Sequence, residues 1–457
     1  MTSSNPLLDF SGLPRYSAVT ADHITPAVDL LLAECRAADA KLTNPSVPAT
    51  WQDFVEPLAN VHERLERAWG MVGHLHGVLD SPALREVYNA NQPKVVDYFS
   101  ELGQNLALFE KYKALRASAA FASLNPSQQR IIDHAIRDFR LSGAELADAD
   151  KARYTEIQAE LAKLQTRFSE NILDATNAFD KLIERKEDLA GVPDDVLEGF
   201  RAAAERDGKT GWKLSLQLPS YLPVMQYADN RALREELYRA HATRAAEFGK
   251  PELDNTPLIR RILELRADEA KLLGYHDFAE ISLIPKMAKD PEQVLSFLRD
   301  LAGKSLPFAR RDMDELRAFA RDELKLANLE SWDIAYASEK LRAKRYAFSE
   351  QEVKQYFPET KVLEGMFRVV QTIYGITIEP DQAETWDPSV RFFRVRGRNG
   401  ATIGQFYLDP YARESKRGGA WMDEAIIRRR LANGVQTPVA YLVCNFSAPI
   451  GGKPALL

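Results

Sequence analysis

Tyr154-Thr-Glu-Ile157-Gln-Ala-Glu-Leu161-Ala-Lys-Leu164-Gln-Thr-Arg-Phe168-Ser-Glu-Asn-Ile172-Leu-Asp-Ala175 repeats an apolar side chain every three or four residues. That period lines the apolar residues along one face of an α-helix. It predicts a helix over residues 151–182, roughly nine turns long. A stripe of this kind is a core stripe, and it would pack on a partner helix in coiled-coil fashion.

The same period extends outward from it. Thr256-Pro257 reads as a cap followed by a first-turn proline, then Leu258, Ile262, Leu265 and Leu272, with a stop at Gly274. Glu269 interrupts that apolar face; a lone carboxylate there is usually solvated or paired. Towards the amino terminus, Thr25-Pro26 gives the same start for a first helix, and from there to about residue 345 the pattern is almost wholly helical. After about residue 385 it changes. Val390–Arg396 is strand-like, Asn399-Gly400 is a strong hairpin turn, and Thr402–Asp409 answers as the returning strand. A loop over 410–418 and a short strand Gly419–Met422 follow. Val439–Phe446, apolar on both faces, reads as a covered central strand. The fold class is therefore mainly α, with a small mixed β-sheet near the carboxyl end.

Composition excludes several classes of function. The 457 residues are 45% hydrophobic and 28% charged, the balance of a globular protein with ample core. A net charge of -6 gives no reason to expect nucleic acid or an anionic membrane as partner. No stretch approaches the ~18 uninterrupted apolar residues of a membrane span, and the first thirty residues lack the pattern of a secretory signal. Two cysteines, Cys35 and Cys444, cannot form a disulfide framework and fit a reducing compartment, so the expected location is cytoplasmic. The sequon Asn445-Phe446-Ser447 then reads as chance.

Catalytic motifs are scarce. Gly303-Lys304-Ser305 resembles the end of a phosphate-binding loop, but Leu298 stands where the first glycine should be. There is no G-x-S-x-G and no dinucleotide fingerprint. All seven histidines lie before residue 277, and none is paired at the i, i+4 spacing that lets one helix face hold a metal. His74 and His76 project about 200° apart on a helix, which assigns them structural or surface roles. From the residues alone, no catalytic group and no metal ligand is named.

One resemblance changes this reading. Phe406-Tyr-Leu-Asp-Pro-Tyr-Ala-Arg-Glu-Ser-Lys-Arg-Gly-Gly-Ala-Trp-Met422, with Pro438–Phe446 and Gly452–Leu457, closely resembles the thimet oligopeptidase family of zinc metallopeptidases. Asp138–Gly143, Leu218–Met225 and Ser331–Tyr336 carry further similarity. The resemblance implies a neurolysin-like helical fold whose two lobes flank a deep channel that admits short unfolded peptides. Residues 1–150 would begin lobe I and 151–345 would belong to lobe II. Residues 346–457 would return to lobe I with the substrate-side sheet over 390–446.

The resemblance also implies a zinc ion held by an H-E-x-x-H helix and a later glutamate, lowering the pKa of bound water. In the family that motif begins shortly after the segment matching Gly452–Leu457, so this chain is expected to be truncated before it, to lack the zinc ligands and to be inactive alone. A missing carboxyl-terminal segment would then be its partner in catalysis. What carries over is a substrate-binding surface: Gly418, Gly419, Ala420 and Trp421 would form the edge strand on which an extended peptide pairs. The alternative for these glycines is a tight turn, and for Trp421 a place in the core. The rival functions are a non-catalytic peptide-binding or scaffold protein and one half of a split peptidase. The terminal Pro454-Ala-Leu-Leu457, apolar and uncapped, favours truncation over a scaffold.

Overall fold

Short polar residues immediately before apolar runs start the amino-terminal helices. In the computed structural model, which describes residues 5–348, 350–432 and 434–457, the side chains of Ser81, Asn105 and Asn125 each accept a hydrogen bond from the backbone N–H three residues on. They open α3 (Pro82–Gly103), α4 (Leu106–Ala117) and, after the one-turn α5 (Ala119–Ala122), α6 (Pro126–Leu141). Before them run α1 (Ala21–Leu42) and α2 (Glu56–Val78), and after them the long α7 (Asp148–Asn177).

Helix α1 begins five residues earlier than the Thr25-Pro26 reading predicts. The Thr20 N–H donates to His23 Nδ1 at 3.1 Å, closing the first turn, and Pro26 lies inside the helix. The bond it forfeits would go to the Asp22 carbonyl; both residues are exposed, so water can take that acceptor.

Helix α7 follows the predicted stripe but ends at Asn177, because residues 180–183 leave it as β1 (Asp180–Ile183), paired antiparallel with β2 (Trp212–Ser215). This small sheet is absent from the helical pattern, since four-residue strands far apart in sequence carry too little period to read. Gly211 makes the pairing possible: with φ near +119°, a Cβ there would lie 2.5 Å from the Ile183 carbonyl oxygen. Between the strands lies α8 (Asp194–Arg206), and after them come α9 (Leu218–Tyr227), α10 (Arg231–Ala242) and α11 (Thr256–Leu272). Asn255, not Thr256, stands before α11, one residue earlier than expected.

Ile157 and Leu161 of α7 share a core with Ile262 and Leu265 of α11, the helix partner the stripe requires. Glu269 is buried on that face, and burial raises its carboxyl pKa. Within the first turn of α10, Arg234 is 1% exposed and donates to the fully buried Asp333 at 2.7 Å, tying this helix to the segment before Ile334.

The remaining helices are α12 (Phe278–Leu283), α13 (Pro291–Asp322), α14 (Ile334–Tyr346), α15 (Glu350–Lys354) and α16 (Glu359–Tyr374). The strands then follow: β3 (Thr377–Asp381), β4 (Arg391–Arg396), β5 (Thr402–Tyr411), β6 (Trp421–Ile426), the two-stranded ribbon of β7 (Arg429–Leu431) and β8 (Gly434–Gln436), and β9 (Val439–Phe446). The main sheet has the order β3-β4-β5-β9-β6, with β5 and β9 parallel and the other pairs antiparallel, so it is mixed as expected. The Asn399-Gly400 turn joins β4 to β5.

Strand β9 is interior to the sheet but covered on one face. Val439, Tyr441 and Val443 are buried, whereas Ala440, Leu442 and Cys444 between them are half-buried. The buried face, with Phe392 and Tyr407, closes a single core with Ile24 and Val28 of α1 and Leu65 and Val72 of α2. The first hundred residues and the sheet are thus one packed body, while β1, β2 and α8–α10 enclose a separate core around Leu214, Phe200 and Leu237.

Candidate functional site

The loop between β5 and β6 is pinned from beneath. Asp409, at the end of β5, is wholly buried and accepts hydrogen bonds from Lys416 Nζ at 2.8 Å, from both Arg413 Nη atoms at 2.7 Å and from Trp386 Nε1 at 3.0 Å. Lys416, 2% exposed, also donates to the carbonyls of Asp409 and Tyr411. Burial by itself would raise the Asp409 carboxyl, but the hydrogen bonds from Arg413 and Lys416 outweigh it and hold the group below the usual carboxylate range. Burial pushes the Lys416 ammonium down, and Asp409 opposes that shift.

The loop backbone is tied to the end of α2, where Asp80 N–H donates to the Ser415 carbonyl and Arg417 N–H to the Gly77 carbonyl, both at 2.9 Å. Asn445 of β9 donates through Nδ2 to the carbonyls of Arg417 and Gly419. Such anchoring costs a lysine its hydration and leaves the next residues rigid but uncovered.

Those next residues are the four singled out in the sequence. Gly418, Gly419 and Ala420 are exposed and precede the strand, which begins at Trp421 and runs on to Ile426, further than the Gly419–Met422 reading. Gly419 adopts φ near +97°, a conformation that favours glycine, so the tight-turn account holds for this residue. Gly418 has no such backbone. Trp421 is half-buried against the sheet–helix core, with the Arg417 guanidinium 4.5 Å from its ring centroid. Strand β6 pairs with β9 on one side and, among the described residues, with nothing on the other.

Gly418 and Gly419 also form part of the wall of a cavity of about 440 Å³; Ala420 and Trp421 do not. The opposite wall was not foreseen from sequence. It consists of Phe168, Ile172 and Thr176 from α7, residues 216–219 leading into α9, and His241 and Arg244 at the end of α10. The carboxyl-terminal half of the α7 stripe therefore faces this cleft, and Phe168 and Ile172 stay half-buried. The signal was present: the stripe continues past Leu164, where Asn255 before α11 bonds the Phe168 carbonyl and Asn171, and Leu218–Met225 is one of the segments that carries the resemblance.

His241 stacks on Tyr221 at 4.0 Å between ring centroids, and burial, helped by the neighbouring Arg244, pushes its pKa down to about 4. It is neutral at pH 7. Arg244 donates through Nε to the His241 carbonyl and through Nη1 to Thr176 Oγ1, both at 2.9 Å.

Among the described residues, no group of three or more His, Cys, Asp or Glu is placed to hold a metal ion. His74 is stacked on Tyr441, 3.7 Å between centroids, and His76 on Tyr88 at 4.2 Å, so the two point into different surroundings. The residues described here thus do not fit a zinc site, and no step through zinc is derived from them. Nor is any of their helices long and apolar enough to cross a membrane.

Comparison with known proteins gives this site its context. Residues 28–151 match the amino-terminal domain of neurolysin and thimet oligopeptidase, and residues 224–457 match peptidase family M3. The chain belongs to peptidase family M3. Two M3 relatives are the oligopeptidase A of Haemophilus influenzae, 45% identical over 100% of this chain and 67% of its own length, and that of Escherichia coli, 44% identical over 99% and 67%. A dipeptidyl carboxypeptidase of Salmonella typhimurium is 30% identical over 100% of this chain and 67% of its own. All three alignments run over essentially the whole of this chain, so the cavity and both of its walls lie within the similarity. The chain spans about two thirds of the length of these relatives.

Proposed function

We propose that this M3 chain is the peptide-holding part of a zinc-dependent endopeptidase that degrades short unfolded peptides in the cytoplasm. On this reading the 457 residues alone neither hold the catalytic zinc nor cleave, and polypeptide beyond them, in the same chain or a second one, supplies the metal helix. Residues 1–150 together with 346–457 form one wall of the substrate channel and residues 151–345 the other. No nucleic acid or membrane takes part.

One observation carries the proposal. An exposed glycine backbone at the wall of the cavity leads directly into a strand with one edge unpaired among the described residues, so an extended peptide can pair with β6 while a side chain enters the cavity. Small residues there let a second backbone approach closely. A buried ion cluster keeps that edge in place without covering it.

Gly418→Ala tests this directly. An added Cβ meets nothing within 4 Å in the free chain and the backbone is not in the left-handed region, so the fold should tolerate it. A bound peptide backbone would be pushed away. The expected result is an unchanged melting temperature with peptide affinity reduced roughly tenfold, equivalent to one or two lost backbone hydrogen bonds. Equal affinity in the variant would remove Gly418 from the binding surface.

A further inference from the structure

The wall of the cavity described above carries four basic side chains, Arg244, Arg413, Lys416 and Arg417, and no aspartate or glutamate. Two of the four are neutralised from behind: Lys416 and Arg413 share the buried Asp409, and Arg413 also lies 3.5 Å from Asp387. Arg417 lies over Trp421. Arg244 is half-buried and, among the described residues, has no acidic partner. His241, its neighbour, is neutral and adds no charge at pH 7.

An arginine has five N–H donors, and a half-buried one without an anion is unusual because desolvating the charge costs free energy. The two hydrogen bonds of Arg244, to the His241 carbonyl and to Thr176 Oγ1, both accept from it without neutralising it. They fix the guanidinium and leave three donors unassigned at the cavity. Around it the lining is apolar, with Phe168, Ile172, Leu173 and Pro219. A fixed guanidinium in an apolar recess is suited to bidentate recognition of a carboxylate.

We propose that Arg244 receives a carboxylate of the bound peptide, with the adjoining apolar side chain seated against Phe168 and Ile172. This inference rests on the peptide-holding reading and adds the chemical class of the ligand: an anionic group, from either a free carboxyl terminus or an aspartate or glutamate side chain, beside an apolar residue.

Binding of labelled pentapeptides to the complete 457-residue chain decides the matter. Three peptides share one apolar sequence: a free carboxyl terminus, the terminal amide, and the amide carrying a single aspartate. Wild type is expected to bind the free acid or the aspartate peptide about tenfold more tightly than the plain amide, the difference a charge-assisted pair supplies. Preference for the free acid alone identifies the terminus as the source, and preference for the aspartate peptide identifies a side chain. Arg244→Gln should abolish the preference, and Arg244→Lys should restore part of it.

Equal binding of all three peptides to wild type would overturn the inference while leaving the peptide-holding reading intact. A preference that survives in Arg244→Gln would do the same. No binding of any peptide would overturn both. The wild-type comparison does not depend on any variant folding.

Discussion

Asp409 and Lys416 are both wholly buried in their side chains, and the Asp409 carboxylate is the common acceptor for two cations. Removing its charge strands both. Asp409→Asn should therefore destabilise the chain by about 3–5 kcal/mol, read as a shift in the denaturant midpoint, because breaking one partner of a buried pair leaves the others desolvated. A shift below about 1 kcal/mol would mean that water reaches Lys416.

His74 gives a second residue-scale expectation, this time in pH. Burial pushes its pKa down to about 3 from an ordinary value near 6.5, and its Nε2 is buried without a hydrogen-bond partner among the described residues. The unfolded chain takes up a proton below about pH 6.5 where the folded chain does not. The stability contributed by neutral His74 is thus present above pH 6.5 and is lost as the pH falls towards 3, at up to about 1.4 kcal/mol per pH unit. Between pH 6.5 and 5, wild type should lose about 2 kcal/mol of stability relative to His74→Phe. Parallel pH profiles would contradict the assignment.

At the scale of elements, α7 does two jobs along one stripe. Leu161, 5% exposed, lies in the α7–α11 core, so Leu161→Ala should cost about 2–5 kcal/mol. Phe168, two turns on, is half-buried at the cavity; Phe168→Ala should cost about 1 kcal/mol of stability and weaken peptide binding instead. Thermal unfolding and peptide titration of both variants separate the two roles, and equal stability losses with unchanged binding would refute the division. This helix also shows how far the sequence could be read. Its period announced the helix and its core face, because 3.6-residue spacing persists through twenty residues. It could not show that Phe168 and Ile172, further along the same stripe, line a cavity, since that depends on which distant segments close over them.

The sheet follows the same logic. The β4–β5 hairpin was legible through Asn399-Gly400, whose turn chemistry is local. The β1–β2 pair and the start of β6 were not, because they depend on contacts with distant segments: β1 with residues 212–215, and β6 with Asn445 and the end of α2. The cavity was the least legible feature. Gly418 and Gly419 were found through resemblance, whereas Arg244 and His241 carry no motif and join the wall from the end of α10.

For the whole molecule, the loop that joins β5 to β6 faces α7 and the end of α10 across the cavity. Asn177, at the end of α7, donates to the Glu414 carbonyl of that loop at 2.8 Å, a direct bond across the cleft. On the proposed reading this arrangement holds an extended peptide between a strand edge and an apolar, basic recess, and among the described residues no group of three or more His, Cys, Asp or Glu converges on a metal position. The proposal that this chain holds a peptide without cutting it is the central claim. Native mass spectrometry of the 457-residue chain mixed with excess zinc and a short unstructured peptide tests it in a single spectrum. The account predicts a complex of one chain with one intact peptide and no stoichiometric zinc. A zinc-loaded chain accompanied by peptide fragments, or a chain that carries no peptide, would contradict it.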